Sequence, residues 1–467
     1  MRILLVQPEY MEKGVGFRLV ALPEPLHLEM VAATAPDHDV QILDMRLDDN
    51  LDGALRKFWP EMVAVTALTP EVYAAQDVLK QVKAFSAEII TVVGGHHASL
   101  VPEDFYIPQV DIIAVGEAEL MFADLAQAVA DRRGLSEVPN IIWRDRDDMF
   151  IRNRISDNKV DLDDVHLPRR DLTEAYRQEY FFLFDKPDTS VATGRGCPYR
   201  CNFCSVHEFY HGRTSQMSPQ RVLTEITQIP TDHITFVDDN FLMNYRRETA
   251  LAEMVKSEGL NMRFSMECRT DSIARHPDLV EKWVDIGLYA VLLGLEGGSD
   301  AMLKQVNKSC RIDVNNRAIE ILQDNGVIIW GAFIVDPNWT EDEFRQLRDY
   351  VSEKGITHTQ FTVLTPLPGT KLYRSRSAEL LTRDYSCFDT LHAVLPTQLP
   401  RETFYQNFAN LYRQSDIGPY YDLVQAGKMT IEDCKRGKIM LDAMSDWEQY
   451  LEKDPVLGKK RVFDINS

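Results

Sequence analysis

A chain of 467 residues is too long for one ordinary hydrophobic core, so its length predicts two or three domains. With 45% hydrophobic and 26% charged residues the composition argues against disorder, and no apolar run approaches the roughly 18 residues of a membrane span, so we expect a cytoplasmic protein. The formal net charge of -21 repels phosphate backbones and argues against nucleic acid as a partner.

Residues 1–135 alternate short β-branched runs with amphipathic segments, beginning with RILLVQ and LHLEMVAATA and ending with DIIAVGEAE and LMFADLAQAVADRR. This alternation predicts parallel strands covered by helices on both faces, as in a Rossmann-like or flavodoxin-like α/β domain. Ligands of such domains bind beyond the carboxyl ends of the strands. The loops in that position are QPEYMEKGVG, TALTPE, GGHHAS and GEAE.

Residues 136–186 are rich in charge and turn formers, which predicts a linker with a small hairpin. Six strand–helix repeats follow in residues 187–382, from SVATGRGC to HTQFTVLTPLPGT. They predict a partial (β/α)6 barrel of the TIM type, with its chemistry at the carboxyl ends of the strands. Residues 383–467 become helical and aromatic, which predicts a small helical cap.

The stretch GRGCPYRCNFCSV brings three cysteines, Cys197, Cys201 and Cys204, within eight positions. Reduced thiols at this density are typical of a metal site. One interpretation is a Cys3His zinc site completed by His207, although such sites usually pair two ligand couples across a loop. The other is a cubane iron–sulfur cluster, whose fourth iron stays open to a cofactor. The remaining cysteines are too scattered for a second motif.

The CxxxCxxC spacing, with Phe203 before the last cysteine, resembles the motif of the radical S-adenosylmethionine superfamily. The resemblance implies that the three cysteines bind a [4Fe-4S] cluster, whose open iron takes the amino and carboxylate groups of S-adenosyl-L-methionine. It further implies that later strand ends bind that cofactor, and the alternative is that their polar residues merely end buried strands. The implied residues are Asp238, Asp239 and Asn240 of VDDNF for the ammonium, Arg269 of ECRTD for the carboxylate, and Glu296 of GLEGGS for the ribose or the amine.

The GGHHAS and GEAE loops resemble the signatures of cobalamin-binding domains that precede radical S-adenosylmethionine barrels. Domains that give cobalt a histidine carry DxHxxG after the first strand, whereas this chain has PEYMEKGVG there. We therefore expect cobalamin without a histidine from that loop, and we expect neither His96 nor His97 to replace it. A domain that binds nothing, or another nucleotide, is the alternative. The residues implied to contact cobalamin are Thr66, Leu68, Gly94, Gly95, His96, Gly116 and Glu117.

Together these motifs resemble the cobalamin-dependent radical S-adenosylmethionine enzymes, most of all the hopanoid C-3 methylase type, whose C-terminal part is similar to DYSCFDTLHAVLPTQLPRETFYQNFANLY. The resemblance implies a methyltransferase that acts on an unactivated carbon of a small hydrophobic substrate, hopanoid-like or tetrapyrrole-like. It also implies an electron donor such as flavodoxin or ferredoxin. Cyclisation or ring rearrangement without methyl transfer stays open, as does a non-catalytic cobalamin-responsive regulator, which would not need an intact cluster motif.

Overall fold

The computed structural model describes residues 1–9, 21–156, 160–182, 185–413, 424–425 and 430–458. Apart from Pro8 and Glu9, the predicted ligand loop PEYMEKGVG therefore lies outside the described residues. In the part of the chain that is described, no helix is long and apolar enough to cross a membrane.

The strands of the first 156 residues are β1 (Arg2–Gln7), β2 (Ala21–Leu22), β3 (Asp39–Asp44), β4 (Met62–Thr66), β5 (Ile90–Gly94), β6 (Ile112–Ala114), β7 (Ile141–Arg144) and β8 (Phe150–Arg152). All except β2 form one sheet in the order β3-β1-β4-β5-β6-β7-β8. The first five strands of that order pair in parallel. They have the flavodoxin-like arrangement 2-1-3-4-5, which confirms the predicted fold class.

Successive residues of β1 pack on opposite faces of the sheet, which explains why the strand is apolar from Ile3 to Val6. Leu4 and Val6 pack on one face of the sheet with the helices Leu51–Phe58 and Val72–Phe85. Ile3 and Leu5 pack on the other face with the helices Leu26–Ala33 and Phe122–Ala130. Shorter helical segments follow the strand ends, at Thr69–Glu71, His96–Leu100, Pro102–Phe105 and Ala118–Leu120.

The hairpin predicted within the linker consists of β7 and β8, and it belongs to the first sheet. β7 pairs antiparallel with β6, from Ile112 opposite Trp143 to Ala114 opposite Ile141. Ile141 and Ile142 are buried, so the hairpin adds to the core of the first domain. The segment that follows contains the 3-10 helix Arg170–Glu179. The sheet therefore extends to Arg152, beyond the predicted domain boundary at residue 135.

The second half of the chain contains β9 (Phe181–Phe182), β10 (Thr189–Val191), β11 (Gly194–Arg195), β12 (Ser215–Gln216), β13 (His233–Phe236), β14 (Arg263–Arg269), β15 (Leu288–Glu296), β16 (Ile328–Val335) and β17 (His358–Val363). Six of them form a parallel sheet in the order β10-β13-β14-β15-β16-β17, which confirms the partial (β/α)6 barrel. Two short antiparallel pairs, β11 with β12 and β2 with β9, stand outside it. The helices here are Val206–Phe209, Pro219–Ile226, Tyr245–Glu258, Thr270–Arg275, Pro277–Val284, Asp300–Gln305, Ile312–Asp324, Glu341–Glu353 and Lys371–Arg376, with a 3-10 turn at Phe241–Met243.

The C-terminal region becomes helical at Arg401, later than the predicted residue 383. Short 3-10 turns at Ser377–Glu379 and Tyr385–Cys387 precede the helices Arg401–Arg413, Ile431–Met444 and Trp447–Glu452. The aromatic residues of these helices pack among themselves, as Tyr405 does on Tyr450 with ring centroids 5.7 Å apart. Tyr412 joins the region to the barrel, because its hydroxyl donates to the Phe361 carbonyl at 2.8 Å. The aromatic residues thus form the core of the cap.

Candidate functional site

The three cysteines lie in one loop after β11, at the carboxyl end of the first barrel strand, and their thiols are half-buried. Gly196 starts the loop with a φ of 78°, and a Cβ there would come 2.1 Å from the Arg213 carbonyl oxygen, so glycine is required. Burial raises the pKa of the Cys204 thiol to about 12. A thiolate at this place therefore needs a cation beside it.

The donor set of the loop suits an iron–sulfur cluster. In the described part of the chain, no three His, Cys, Asp or Glu side chains converge as the ligands of a single metal ion do. A cubane makes a different demand, because each cysteine binds its own iron. Three half-buried thiols on one loop meet that demand, and a guanidinium is at hand, since Arg269 Nη1 lies 3.8 Å from Cys201 Sγ.

Arg269 ends β14 and connects the barrel to the cysteine loop. Its guanidinium carbon lies 3.5 Å from the ring centroid of Tyr199, and its Nε donates to Asp271 Oδ1 at 2.9 Å. Its Nη2 is buried and has no hydrogen-bond partner among the described residues. An unpaired buried N–H is costly, so Arg269 offers a donor for an anionic ligand such as a carboxylate. The sequence reasoning missed Tyr199, whose only signal was an aromatic residue inside the cysteine motif.

The three polar residues of VDDNF take different positions. The Asp238 carboxylate is buried and accepts hydrogen bonds from the backbone N–H of Thr193 at 2.6 Å and from its hydroxyl at 2.7 Å. Asn240 Oδ1 accepts from the backbone N–H of Arg269 at 3.0 Å. Asp239 Oδ2 accepts from the backbone N–H of Gly196 at 2.8 Å, and this residue also lines a cavity. Asp238 and Asn240 thus hold strand ends together, and Asp239 faces open space.

Glu296 and Phe203 each have partners outside the cavity wall. Glu296 ends β15 with a φ of 58°, and its Oε1 accepts from Lys308 Nζ at 2.6 Å. Its carboxylate is therefore already paired with a buried cation. Phe203 packs against the apolar cluster Val306, Ile334, Leu364 and Leu372, so its ring anchors the loop to the barrel core.

The carboxyl ends of the two sheets open into one shared cavity of about 550 Å³. Every residue predicted to contact cobalamin lines it, namely Thr66, Leu68, Gly94, Gly95, His96, Gly116 and Glu117. The barrel contributes the opposite wall, which includes Ala192, Gly194, Arg195, Phe209, Tyr210, Val237 and Asp239. The structure therefore joins the loops of the first domain and the barrel strand ends, including Gly194 and Arg195 directly before the cysteine loop, around one space.

The glycines of the first-domain wall have two different roles. A Cβ on Gly95 would lie 2.6 Å from Thr66 Oγ1, and the φ of Gly95 is 94°, so this glycine serves the packing of its own loop. Gly116 has a φ of 82°, and a Cβ there would meet nothing within 4 Å. Gly116 thus leaves a bare backbone facing free space, as the close approach of a large cofactor such as cobalamin requires.

The neighbouring histidines of GGHHAS have unlike surroundings. His97 is buried, with Nδ1 3.0 Å from Thr69 Oγ1 and Nε2 2.9 Å from Asp104 Oδ2, so both ring nitrogens are engaged. The His96 ring stacks on Phe209 of the barrel with centroids 4.7 Å apart. Its Nε2 is buried without a hydrogen-bond partner among the described residues, and burial lowers the pKa of His96 to about 4. His96 is thus a neutral imidazole on the cavity wall.

Arg195 is the functional residue that sequence reasoning missed most clearly. It lies between Gly194 and Gly196, directly before the cysteine loop, and it is largely buried. Its Nη1 donates to Glu117 Oε1 at 3.0 Å, and its Nη2 makes an ion pair with Glu119. Arg195 therefore fastens the barrel wall of the cavity to the GEAE loop. The sequence signal was an arginine between two glycines, but only the fold reveals its acidic partners.

Comparisons with known proteins agree with this two-domain site. Residues 13–126 match the B12 binding domain, and residues 191–351 match the radical SAM superfamily. Hopanoid C-3 methylase of Methylococcus capsulatus is 31% identical over 417 residues, which cover 87% of this chain and 78% of that protein. An uncharacterized methyltransferase of Pyrococcus horikoshii is 27% identical over 480 residues, which cover 99% of this chain and 99% of that protein.

Among solved structures, the cobalamin-dependent S-adenosylmethionine radical enzyme OxsB has a TM-score of 0.69 at 16% identity, covering 97% of this chain and 79% of its own. The methyltransferase TsrM of Kitasatospora setae, with cobalamin and a [4Fe-4S] cluster bound, has a TM-score of 0.63 at 17% identity, covering 79% of this chain and 73% of its own. At such identities the likeness shows the fold alone. On its matched domains and on its identity to hopanoid C-3 methylase, the chain belongs to the cobalamin-dependent radical S-adenosylmethionine enzymes, whose cofactors are a [4Fe-4S] cluster, S-adenosyl-L-methionine and cobalamin.

Proposed function

We propose that this enzyme transfers a methyl group to an unactivated sp3 carbon of a small hydrophobic substrate. The observation that carries the proposal is the single cavity reached from the strand ends of both domains. When bound, the cluster with S-adenosyl-L-methionine supplies the radical that removes a substrate hydrogen, and cobalamin supplies the methyl group. Both reagents must reach one carbon, and a displacement of about 1 Å can cost on the order of a hundredfold in rate.

We assign the cluster to Cys197, Cys201 and Cys204, on the loop that Gly196 and Phe203 shape and support. Arg269 is our candidate for the carboxylate of S-adenosyl-L-methionine, because its buried Nη2 has no hydrogen-bond partner among the described residues. The other residues of this assignment are Asp239 for the ammonium, with Asp238 and Asn240 holding the strand ends in place, and Glu296 for the ribose or the amine.

We assign the opposite wall of the cavity to cobalamin, within residues 1–135 and the hairpin that extends their sheet. The bare backbone at Gly116 supports this assignment. The proposed contact residues are Thr66, Leu68, Gly94, Gly95, His96, Gly116 and Glu117. The barrel of residues 187–382 forms the other wall, and the C-terminal region packs against it through Tyr412.

The chemistry of an inert carbon must exclude water, and the cavity walls are suited to that task. Apolar residues of both domains line it, among them Leu5, Leu26, Val65, Phe122 and Val237. The ion pairs of Arg195 with Glu117 and Glu119 link the GEAE loop to the residues directly before the cysteine loop. An apolar lining also favours a hydrophobic substrate, and the hopanoid named for the Methylococcus relative is of that class. A low-potential donor such as flavodoxin or ferredoxin, in a reducing cytoplasm, would supply the electrons.

The proposal is tested by anaerobic incubation of the reconstituted enzyme with reductant, S-adenosyl-L-methionine and a pentacyclic triterpene. The expected result is a product heavier by one methyl group in place of one hydrogen, together with 5'-deoxyadenosine. The rival reaction is cyclisation, since anaerobic magnesium-protoporphyrin IX monomethyl ester cyclase of Rubrivivax gelatinosus is 24% identical over 89% of this chain. A rearranged or oxidised product of unchanged carbon count would favour the cyclase reaction and contradict methylation.

A further inference from the structure

The cysteine loop carries an exposed cation, although the protein as a whole is strongly acidic. Arg200 lies directly before Cys201 and is exposed, whereas the three thiols of the loop are half-buried. The Arg200 carbonyl accepts a hydrogen bond from Asn307 Nδ2 at 2.8 Å, which ties the loop to the segment after the helix Asp300–Gln305. Because the chain has a net charge of -21, exposed positive charge at this loop differs in sign from the average of the molecule.

Two exposed lysines lie beside the same loop, on segments that are hydrogen-bonded to Asn202. Asn202 Nδ2 donates to the Gln305 carbonyl at 3.3 Å, and Lys304 directly precedes Gln305. The Asn202 carbonyl accepts from the backbone N–H of Leu372 at 3.0 Å, and Lys371 directly precedes Leu372. Both lysines are exposed. These hydrogen bonds therefore bring two further cations next to the cysteine loop.

The basic patch is formed by three side chains, Arg200, Lys304 and Lys371. None of them makes a hydrogen bond or an ion pair with the described residues. Carboxylates of the neighbouring segments are engaged elsewhere, since Asp271 pairs with Arg269 and Glu208 pairs with Arg374. Asp300 Oδ1 accepts a hydrogen bond from a backbone N–H at 2.8 Å. The positive charge of the basic patch is therefore not neutralised by these neighbours.

The cysteine loop is also the place where an electron has to enter. Cleavage of S-adenosyl-L-methionine to a radical takes up one electron in each turnover. In the part of the chain that is described, the other cysteines lie singly, so no second cluster motif can relay that electron. Arg200 is exposed and stands next to the ligand position Cys201, so the protein surface lies within one residue of the cluster site.

We propose that the basic patch docks a small acidic electron-transfer protein of the flavodoxin or ferredoxin class against the cysteine loop. The inference rests on the proposed function and adds the surface for the electron donor to it. In the transfer the donor loses one electron and the oxidised cluster gains it, and no covalent bond changes. A net charge of -21 repels an acidic donor, so local cations are needed to steer it to this one face.

The test measures binding of an acidic flavodoxin and an acidic [2Fe-2S] ferredoxin, both oxidised, to the full-length reconstituted enzyme by anaerobic titration calorimetry. The combined variant Arg200→Gln, Lys304→Gln and Lys371→Gln should bind the donor on the order of tenfold more weakly than the wild type at low ionic strength. The difference should shrink at high ionic strength, because salt screens exposed charges. The matched control removes three exposed cations of the first domain, through Lys57→Gln, Lys80→Gln and Arg146→Gln.

Iron content after reconstitution shows whether each variant has kept its cluster. The double variant Lys304→Gln and Lys371→Gln lies outside the cysteine loop, so it keeps the test valid if the triple variant takes up no iron. Equal binding by the patch variant and the control overturns the docking surface, and so does absence of binding by both donors. Weaker self-association of the patch variant with unchanged donor binding would assign the patch to a second copy of the chain and overturn the proposal as well.

Dithionite separates this inference from the proposed function, because a small reductant does not need a docking surface. With dithionite, the wild type and the double variant should form 5'-deoxyadenosine at equal rates. A slower reaction of the double variant under these conditions would place the lysines in the chemistry and overturn the docking role. Donor binding that depends on the patch, without any methylated product from the wild type, would instead contradict the proposed function and leave the docking surface standing.

Discussion

Cysteines 197, 201 and 204 differ from the other cysteines of the chain in position and in surroundings. Cys268 and Cys387 are buried as small apolar residues, and Cys310 Sγ lies 3.2 Å from the Thr270 hydroxyl. The three thiols of the loop share a backbone turn, in which the Cys204 N–H donates to the Cys201 carbonyl at 3.4 Å. These local differences separate the three proposed cluster ligands from the other described thiols.

Replacing all three loop cysteines by alanine should therefore abolish cluster binding. The expected result after anaerobic reconstitution is loss of iron and of the charge-transfer absorbance, because no other described thiols are grouped in this way. Cys310→Ser is the matched control and should retain both signals. A cluster retained by the triple variant would refute the assignment.

The pH dependence of the free energy of unfolding tests the burial of His96. Its pKa in the folded protein is about 4, against an ordinary value of 6.5, so folding favours the neutral ring. The stability from this group is complete above pH 6.5 and is lost as pH falls toward 4. The wild type should therefore lose on the order of 2–3 kcal/mol of unfolding free energy over that range, measured by urea unfolding. His96→Gln should lack this loss. The exposed His166→Gln variant is the control, and equal slopes in wild type and His96→Gln would contradict the account.

The expectation that neither histidine of GGHHAS binds cobalt stays a prediction. Both ring nitrogens of His97 are engaged by Thr69 and Asp104, which argues against ligation by this residue. For His96 the test is electron paramagnetic resonance of the cobalt(II) form. The spectrum should lack imidazole-nitrogen coupling and be unchanged in His96→Ala. A coupling that disappears in that variant would show that His96 is a ligand.

At the scale of elements, the periodicity of apolar residues was sufficient to predict the strands and helices. The runs MRFSMECRTDS and YAVLLGLEGGS became β14 and β15, and DVNNRAIEILQDNG became the helix Ile312–Asp324. The motif loops also lay where parallel topology requires, at the carboxyl ends of strands. Both sets of predictions depend on local pattern or on a general rule of topology.

Contacts distant in sequence could not be predicted in this way. The Arg195 pairs span 76 and 78 positions, and neither partner carries a local signal for the other. The β6–β7 pairing was missed because a charged hairpin looks like a linker until its apolar residues find a sheet. The different roles of Asp238, Asp239 and Asn240 could not be predicted for the same reason. Alternation along the strand does not reveal their hydrogen-bond partners, which are distant in sequence.

Arg195→Gln should loosen the cavity, because it leaves Glu117 and Glu119 without their cation. Breaking a largely buried pair typically costs about 3–5 kcal/mol, so we expect a lower free energy of unfolding and a lower cobalamin affinity. Arg169→Gln is the matched control, since its pair with Asp171 is more exposed and such pairs contribute at most about 1 kcal/mol. Equal effects of the two variants on stability and on corrinoid retention would contradict the role of Arg195.

At the scale of the whole molecule, a second arginine fixes the two domains against each other. Arg170 makes ion pairs with Glu24 and Glu29 of the first domain and, at 2.8 Å, with Glu225 of a barrel helix. All four side chains are largely buried, so the cluster is sensitive to geometry. Arg170 and Arg195 together hold the strand ends of both domains around the cavity.

The most direct test of this shared cavity is the fate of a methyl group. The holoenzyme is given S-adenosyl-L-methionine labelled on its methyl carbon, together with reductant and a pentacyclic triterpene. The account predicts a labelled product, with 5'-deoxyadenosine and S-adenosylhomocysteine formed in equal amounts, because one cofactor molecule provides the radical and another provides the methyl group. 5'-Deoxyadenosine formed without S-adenosylhomocysteine, alongside an unlabelled rearranged product, would contradict it.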